Sequence, residues 1–192
     1  DDYLSLSLFT NDFQYISALR STDYDSDDYE VNSNKQLSLN IGKAELTAQF
    51  LYIYGKTIIV NEKLFHPLEE DNYLLSQVTA WEREISNGIN VIPIKVGNNF
   101  DIKYTFDIPN YGPTNEYSSP NVGFGISYAL PIIVAILSAK KDSLIIIENP
   151  EAHLHPNGIS KLTELICLAA QAGIQIIIET HSDHIINGVL VQ

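Results

Sequence analysis

Leu144-Ile-Ile-Ile-Glu-Asn-Pro-Glu-Ala-His-Leu-His-Pro156 is the segment most informative about the fold, because an apolar run of strand length stops abruptly in acidic and polar residues. A second apolar run, Ile174 to Ile178, ends in Glu179-Thr-His-Ser182. The segment between them, Asn157 to Ala172, has apolar residues at helical spacing, and Gly173 is its stop signal. These segments predict one βαβ unit with a parallel sheet and with polar residues at both strand ends.

The composition is that of an acidic globular protein. Its 192 residues are 45% hydrophobic and 10% aromatic, which is enough for one sizeable core. The formal net charge of −13 repels phosphate backbones, and the lysines and arginines are scattered along the chain. Direct binding of nucleic acid therefore has no support in the composition. The acidic segment from Asp23 to Glu30 predicts a solvated loop.

Cysteine usage and hydropathy favour a cytoplasmic protein. The single cysteine, Cys167, has no partner for a disulfide within the chain, which fits a reducing compartment. No run reaches the roughly 18 apolar residues of a membrane span, and the first residues lack the pattern of a secretion signal. We expect no membrane partner. The chain does not begin with methionine, so we expect it to be a fragment.

The first part of the chain predicts a strand followed by an ambiguous segment. Phe13 to Leu19 is typical of a buried strand that delivers Arg20 to a sheet edge, where a guanidinium would meet phosphate or carboxylate. The simpler alternative for Arg20 is a surface ion pair. Glu45 to Tyr54 is apolar and fits a short helix or a strand equally well.

The middle of the chain predicts a helix and a hairpin. Asn72 to Ser86 has helical periodicity, with Asn72 as its cap and Gly88 as its stop. Val91 to Val96 and Asp101 to Ile108 alternate in polarity around Gly97-Asn-Asn99, which has the composition of a β-turn.

Glu148 and Glu151 are the acidic residues that follow the first apolar run. Mg²⁺ prefers a few carboxylates together with phosphate oxygens, so Glu148 is the candidate metal ligand. The next residue, Asn149, cannot accept a proton. Glu151, beyond Pro150, is therefore the candidate general base if its loop folds towards a phosphate. In the structural alternative, both acids only cap a loop or a helix.

Glycines open a third apolar segment, which predicts a helix from about Asn121 to Ala139 with Pro131 inside it or in its first turn. Gly123 and Gly125 leave backbone amides bare at the start of that helix, where an anion can bind, and Ser127 adds a hydroxyl. Close helix packing explains such glycines more often than anion binding does.

Histidines near the two strand ends have two interpretations each. His181 lies where an imidazole could donate a hydrogen bond to a phosphate oxygen, although a purely structural role is as common at such positions. His153 and His155 alternate with Glu151, so an extended backbone would place all three on one face at a plausible zinc spacing.

Together these residues resemble the ATP-binding-cassette-like (ABC-like) AAA ATPases related to the SMC, RecF and overcoming-lysogenization-defect (OLD) heads. Leu144 to Glu148 is similar to the Walker B strand, and Glu151 to Pro156 is similar to the D-loop. Glu179 to Ser182 is similar to the switch strand, with His181 as its histidine. Asn121 to Pro131 resembles the signature motif of an uncharacterised bacterial subgroup.

The resemblance implies an α/β, P-loop NTPase-like, three-layer fold of the ABC ATPase head type with a mainly parallel sheet. No Gly-x-x-x-x-Gly-Lys-Ser/Thr occurs, so the Walker A part is absent and the fold is expected to be incomplete. Residues 1–192 would then form the carboxyl-terminal portion of one ATPase domain. Residues 1–120 would supply mixed elements, and residues 121–192 the four motifs.

The resemblance also implies ATP and Mg²⁺ as cofactors in a homodimer with a composite ATP site, and a DNA, nuclease or other effector partner. The implied process is DNA maintenance or phage defence. Glu148 would hold magnesium, Glu151 would act as base and His181 would sense the γ-phosphate. The implied nucleotide-binding residues are Gly123, Gly125, Ser127, Asn149 and His153. Asn149 departs from the family pattern, which has a glutamate there, and this predicts slow hydrolysis.

Other classes fit parts of the same sequence. Thr180-His-Ser-Asp-His184 resembles the metal-binding turn of metallo-β-lactamase-fold hydrolases, although Glu179 replaces its first histidine. A degenerate, non-catalytic ATPase fold that acts as a protein interaction module is the stronger alternative, because Asn149 cannot act as a base.

Overall fold

The computed structural model describes residues 12–21, 35–38 and 42–191, so the predicted acidic loop from Asp23 to Glu30 lies outside the described residues. Short 3₁₀ turns occur at Glu62–Leu64 and Ser119–Asn121. In chain order the helices and strands are β1 (Phe13–Ile16), α1 (Thr47–Tyr54), α2 (Leu74–Ile85), β2 (Ile89–Val96), β3 (Asn99–Ile108), β4 (Gly112–Pro113), β5 (Tyr117–Ser118), α3 (Phe124–Ser138), β6 (Leu144–Glu148), α4 (Pro156–Gln171), β7 (Gln175–Glu179) and α5 (Asp183–Val191).

A parallel sheet of order β1-β6-β7 forms the part of the fold that the opening stretch predicted. Helix α4 connects the two parallel strands β6 and β7, which makes the predicted βαβ unit. Ile145 and Ile147 on one face of β6 are fully buried, and the register pairs Glu148 with Glu179. All three strands run the same way, so their carboxyl ends lie at one edge. The α/β class with a parallel sheet is confirmed.

Helix α3 runs through the hydrophobic core. Its residues from Ile126 to Leu137 are buried almost without interruption, which explains why the sequence there lacks a polar stripe. Pro131 lies inside the helix rather than in its first turn, and the helix continues to Ser138. α3 packs against α2, α4, β1 and β6.

A second, antiparallel sheet supplies the mixed first half that the sequence predicted. β2 and β3 form the hairpin, with Val96 opposite Asn99 and a two-residue turn at Gly97 and Asn98. Gly97 has a φ of 63°, which is the left-handed conformation that such a turn needs. β4 and β5 both pair with β3. The side chains of both sheets join one continuous hydrophobic cluster.

The sequence pattern left the type of helix α1 undecided and assigned the cap of helix α2 to the wrong residue. The segment of undecided type is helical as α1, which packs on the hairpin through the Tyr52 and Phe100 rings, 5.3 Å apart. Helix α2 is confirmed, but Asn72 is not its cap. Asp71 instead accepts hydrogen bonds from the Tyr73 backbone N–H (3.2 Å) and the Ser76 hydroxyl (2.5 Å). The Asp71 carboxylate therefore satisfies the first turn.

In the part of the chain that the structure describes, every helix is too short or too polar to cross a lipid bilayer.

Candidate functional site

The carboxyl edge of the parallel sheet gathers the acidic residues that the sequence singled out. Glu148 ends β6 and stands in register with Glu179 at the end of β7. The Asn149 backbone N–H extends this pairing by donating to the Glu179 carbonyl at 2.8 Å. The turn that follows β1 lies on the other side of Glu148, so the carboxylate sits between two neighbouring strands.

The Glu148 carboxylate is held by two donors from the β1 segment. The Tyr15 hydroxyl donates to Oε1 at 2.7 Å, and the Ala18 backbone N–H donates to Oε2 at 3.0 Å. The Tyr15 hydrogen bond, then the Ala18 amide and the nearby Arg20 charge, lower the pKa of Glu148, although partial burial opposes them. The same hydrogen bond raises the pKa of Tyr15. Glu148 is therefore kept ionised, with one donor on each oxygen and further lone pairs open.

Arg20 is buried directly behind this carboxylate, with only 5% of its surface exposed. Its Nη2 donates to the carbonyl oxygens of Glu148 and of Asn149, the latter at 2.9 Å. Its guanidinium carbon lies 5.4 Å from the Tyr128 ring centre. Burial lowers the pKa of the guanidinium to about 10, so it stays charged at neutral pH. A strand is confirmed, but it ends at Ile16 instead of running to Leu19, which is exposed. The surface ion pair is wrong, and the partners of Arg20 are carbonyls rather than a carboxylate.

The loop after β6 brings Glu151 to the end of β7. Its Oε1 accepts a hydrogen bond from the His181 backbone N–H at 3.1 Å. Its Oε2 is buried and has no hydrogen-bond partner within the described ranges. Asn149, with a φ of 42°, starts the loop in the left-handed region, which asparagine tolerates better than most residues. Glu151 is thus placed at the same edge as Glu148, with one oxygen uncommitted.

The His181 side chain projects from this edge. It is 85% exposed, and its Nε2 lies 3.0 Å from Glu179 Oε1. The imidazole is accessible to a ligand from solvent, while its backbone is anchored to Glu151. The structure therefore brings Glu148, Glu151 and His181 to one edge, as the sequence led us to expect.

The glycine-rich start of α3 packs against the loop after β6. A Cβ on Gly125 would lie 2.7 Å from the His153 carbonyl oxygen, so only glycine allows this approach. The rings of Phe124 and Tyr128 lie 5.5 Å and 4.8 Å from the His153 ring. Gly123 is the N-terminal flanking residue of α3 and is exposed with open space around it. Gly125 and His153 are thus neighbours, and Gly123 has room for a ligand.

Ser127 is oriented differently from these glycines. It is fully buried, and its Oγ lies 2.9 Å from Ser119 Oγ. The Ser127 hydroxyl would have to leave this pair before it reached a nucleotide, so its assignment stays a prediction.

The histidines of the zinc interpretation lie in separate environments. His153 packs on aromatic rings, with a φ of 64°. His155 flanks the start of α4, and its Nδ1 accepts from the Asn157 backbone N–H at 3.4 Å. Among residues 12–21, 35–38 and 42–191, no three His, Cys, Asp or Glu side chains are grouped to hold a metal ion. The zinc site of His153 and His155 and the metal-binding turn from Thr180 to His184 therefore gain no support. A magnesium site does not need such a group, because one carboxylate and phosphate oxygens are sufficient ligands.

The sequence analysis missed three residues that contact Glu148 or Arg20, namely Tyr15, Ala18 and Tyr128. The Tyr15 hydroxyl on a buried strand was the one available signal, because such a hydroxyl usually finds a partner. The Ala18 amide has no side-chain signature at all.

Comparison with known proteins places the chain in a family. A family model described as "AAA domain, putative AbiEii toxin, Type IV TA system" matches residues 22–187. The Old nuclease of Escherichia phage P2 is 42% identical over 45 residues, which are 23% of this chain and 8% of that protein. A crystal structure of the SmcHead bound to the C-winged helix domain of ScpA aligns with 13% identity and a TM-score of 0.48. That alignment covers 78% of this chain and 41% of the other.

The chain thus spans less than half the length of both proteins. The resemblance to SMC- and OLD-related P-loop ATPases is confirmed at the family level, while the bacterial subgroup stays a prediction. Because the family model covers most of its residues, the chain belongs to this AAA-domain family.

Proposed function

We propose that this chain supplies the metal-binding and water-activating edge of an ATPase that binds Mg²⁺ and ATP. The observation that carries the proposal is the meeting of Glu148, Glu151 and His181 at the carboxyl ends of adjacent parallel strands. Ligands of open α/β sheets bind at this edge. Membership of the AAA family supports a nucleotide as the ligand.

Glu148 fits the role of magnesium ligand. Its pKa is lowered, so it is ionised at neutral pH, and its two hydrogen bonds leave lone pairs on both oxygens. Mg²⁺ keeps several waters and uses one or two carboxylates together with phosphate oxygens, so one carboxylate is sufficient. When bound, Mg²⁺ would offset the charge of the phosphate oxygens. The Tyr15 hydroxyl and the Ala18 amide fix the orientation of this carboxylate.

Glu151 fits the role of general base. Asn149 stands where the family has a glutamate and cannot take a proton. Glu151 Oε2 lacks a partner among the described residues, and it would accept a proton from an attacking water once its loop turned this buried oxygen towards the nucleotide. His181 is exposed beside it and would donate to a γ-phosphate oxygen. Because Glu151 Oε1 is already held by a backbone amide, we expect slow turnover.

The phosphate-binding loop must come from outside this chain. Gly55-Lys56-Thr57 matches the end of the P-loop pattern, but it follows the end of α1, whereas a P-loop begins a helix. We propose a composite site in a dimer, in which the exposed Gly123 end of α3 meets the nucleotide of the second subunit. A helix start with bare amides favours an anion there.

A role in DNA maintenance or phage defence, with a nuclease or other effector, is proposed by analogy. Its support is the local match to a phage protein named Old nuclease and the toxin–antitoxin wording of the family description. The net charge of −13 makes extensive DNA contact by this chain unfavourable. We therefore assign any DNA contact to a partner or to another domain.

The test is ATP binding, ATP turnover and light scattering on the protein at its full natural length. Glu148→Gln should weaken magnesium-dependent binding. Glu151→Gln should keep binding and lower turnover about 10²-fold to 10⁴-fold, which is the usual contribution of a general base. Glu164→Gln is the matched control, because Glu164 pairs with Lys161 on α4, outside this edge. Equal activities of Glu151→Gln and Glu164→Gln would refute the assignment of the base.

The second candidate function is a protein interaction module built on a degenerate ATPase fold. Asn149 favours it, since the usual acid is missing at that position. A wild-type protein of full length that binds no ATP, with or without Mg²⁺, would establish this alternative.

A further inference from the structure

Arg20 joins three segments that are far apart in sequence. It follows β1, it donates to the carbonyls of Glu148 and Asn149, and its guanidinium lies 5.4 Å from the Tyr128 ring centre of α3. The two carbonyls belong to the last residue of β6 and to the first residue of the loop. Arg20 therefore restrains the point at which the Glu148 carboxylate leaves the sheet.

Fold stability alone does not explain this arrangement. A guanidinium has five N–H donors in a rigid fork, yet Nε and Nη1 of Arg20 are buried and lack hydrogen-bond partners in the described part of the chain. Burying a charge with incomplete hydrogen bonding is costly, and buried charged groups often add little to stability compared with apolar networks that replace them as a whole. A methionine of similar length would fill the same space without a buried charge, although the Glu148 and Asn149 carbonyls would lose this donor.

Contacts continue from Arg20 to the start of α3 and to the loop. The Tyr128 ring packs edge-on against His153 at 4.8 Å, and the His153 carbonyl is the atom that excludes a side chain at Gly125. A shift of Arg20 would therefore move Tyr128 and, through it, the glycine-rich end of α3. Chains of packed side chains such as this one carry energetic coupling between separate sites.

We infer that Arg20 is a positioning residue that couples the Glu148 end of β6 to the glycine-rich start of α3. Arg20 fixes the position of the Glu148 carboxylate relative to the surface of α3. Binding of metal and nucleotide at the sheet edge is therefore coupled to binding of the second subunit at α3. This inference rests on the proposed ATPase function and extends it to a residue that need not touch the substrate.

The test compares Arg20→Met, Arg20→Lys and Tyr128→Leu with wild type, all at full natural length. Arg83→Met is the matched control. The Arg83 side chain also donates to a backbone carbonyl, that of Ile89 at 3.0 Å, but it lies on the exposed surface of α2. The measurements are kcat and KM for ATP, ATP-driven dimerisation by light scattering, and the urea midpoint.

Arg20→Met should lower kcat and ATP-driven dimerisation by about tenfold to a hundredfold, because small misplacements of reacting groups cost that much. KM should stay within about threefold, and Arg20→Met should remain fully folded under the assay conditions even though the loss of two carbonyl hydrogen bonds lowers its urea midpoint. Arg20→Lys should not restore kcat, since an ammonium cannot bridge two carbonyls and stack on a ring as the fork does. Combining Arg20→Met with Tyr128→Leu should cost less than the sum of the two single losses.

The outcomes separate the inference from the function on which it rests. If wild type turns over ATP and Arg20→Met matches Arg83→Met in kcat, the inference fails and the ATPase function stands. If the loss of kcat in Arg20→Met matches the loss of folded protein under the assay conditions, Arg20 is structural and the inference also fails. Should Arg20→Met not fold, Tyr128→Leu decides alone, because it leaves both carbonyl contacts in place. A wild type that binds no ATP overturns the proposed function and this inference with it.

Discussion

Replacing Glu82 should stabilise the protein increasingly as pH rises. Glu82 lies on α2, is completely inaccessible to solvent, and neither carboxyl oxygen has a hydrogen-bond partner among the described residues. Burial raises the pKa of Glu82 well above its ordinary value of 4.5. The carboxyl group is therefore neutral in the folded protein at pH values where it is ionised in the unfolded chain.

The sign and magnitude follow from linkage. Below about pH 4.5 both states are protonated, so the folded state incurs only the cost of a buried, unpaired polar group, about 1–3 kcal/mol. Above that pH the unfolded state releases a proton that the folded state retains. Stability then falls by about 1.4 kcal/mol per pH unit until the folded pKa is reached. At pH 6 the two contributions add to about 3 kcal/mol or more.

The assay is urea unfolding from pH 4 to pH 7 for wild type, Glu82→Gln and Glu82→Met. The stability difference between Glu82→Gln and wild type should rise by about 1.4 kcal/mol per pH unit above pH 5. Glu82→Met should also remove the unpaired oxygens and be more stable than wild type throughout. Exposed Glu70 provides the control substitution Glu70→Gln. A pH profile of Glu82→Gln that parallels wild type, or a destabilised Glu82→Met, would refute the reasoning.

Three further predictions concern the sheet edge. Gly125→Ala should destabilise the fold by about 1–3 kcal/mol, because its Cβ would meet the His153 carbonyl oxygen. Gly123→Ala should cost less than about 0.5 kcal/mol, because the space around Gly123 is open. Urea unfolding of the two variants measures this difference. Tyr15→Phe removes the main donor to Glu148, so the pKa of Glu148 should rise towards its ordinary value. Wild type should be more stable than Tyr15→Phe by about 1 kcal/mol at pH 7, and this difference should vanish as pH falls through the pKa of Glu148 in the folded protein. NMR titration of Glu148 and unfolding at two pH values would check both expectations. Removal of Mg²⁺ by a chelator should abolish ATP turnover in the full-length protein and weaken ATP binding, and turnover that persists without divalent cations would contradict the magnesium assignment.

Local patterns were sufficient for the elements whose signals lie close together in the chain. The β6-α4-β7 unit was predicted because apolar runs, helical spacing and Gly173 are all short-range features, and Gly173 indeed has a φ of 91°. The β2-β3 hairpin was predicted for the same reason, since Gly97 sets its turn. The clustering of Glu148 and His181 followed from the parallel strand order alone.

The contacts that hold these residues depend on parts of the chain that are distant in sequence. Glu45 to Tyr54 was ambiguous because a short apolar run fits either a helix or a strand, and packing against the hairpin accompanies the helical outcome. Ser127 faces the core rather than the helix start, because its position on α3 turns it inward.

The hydrogen-bond partners of Glu148 show why local patterns were not sufficient. Arg20 meets the Glu148 carbonyl across 128 positions of sequence, and Tyr15 meets its carboxylate across 133. The local sequence was sufficient to predict that an acid ends a buried strand. The pairing of β1 beside β6, a long-range event that no local periodicity encodes, decided which groups would surround that acid.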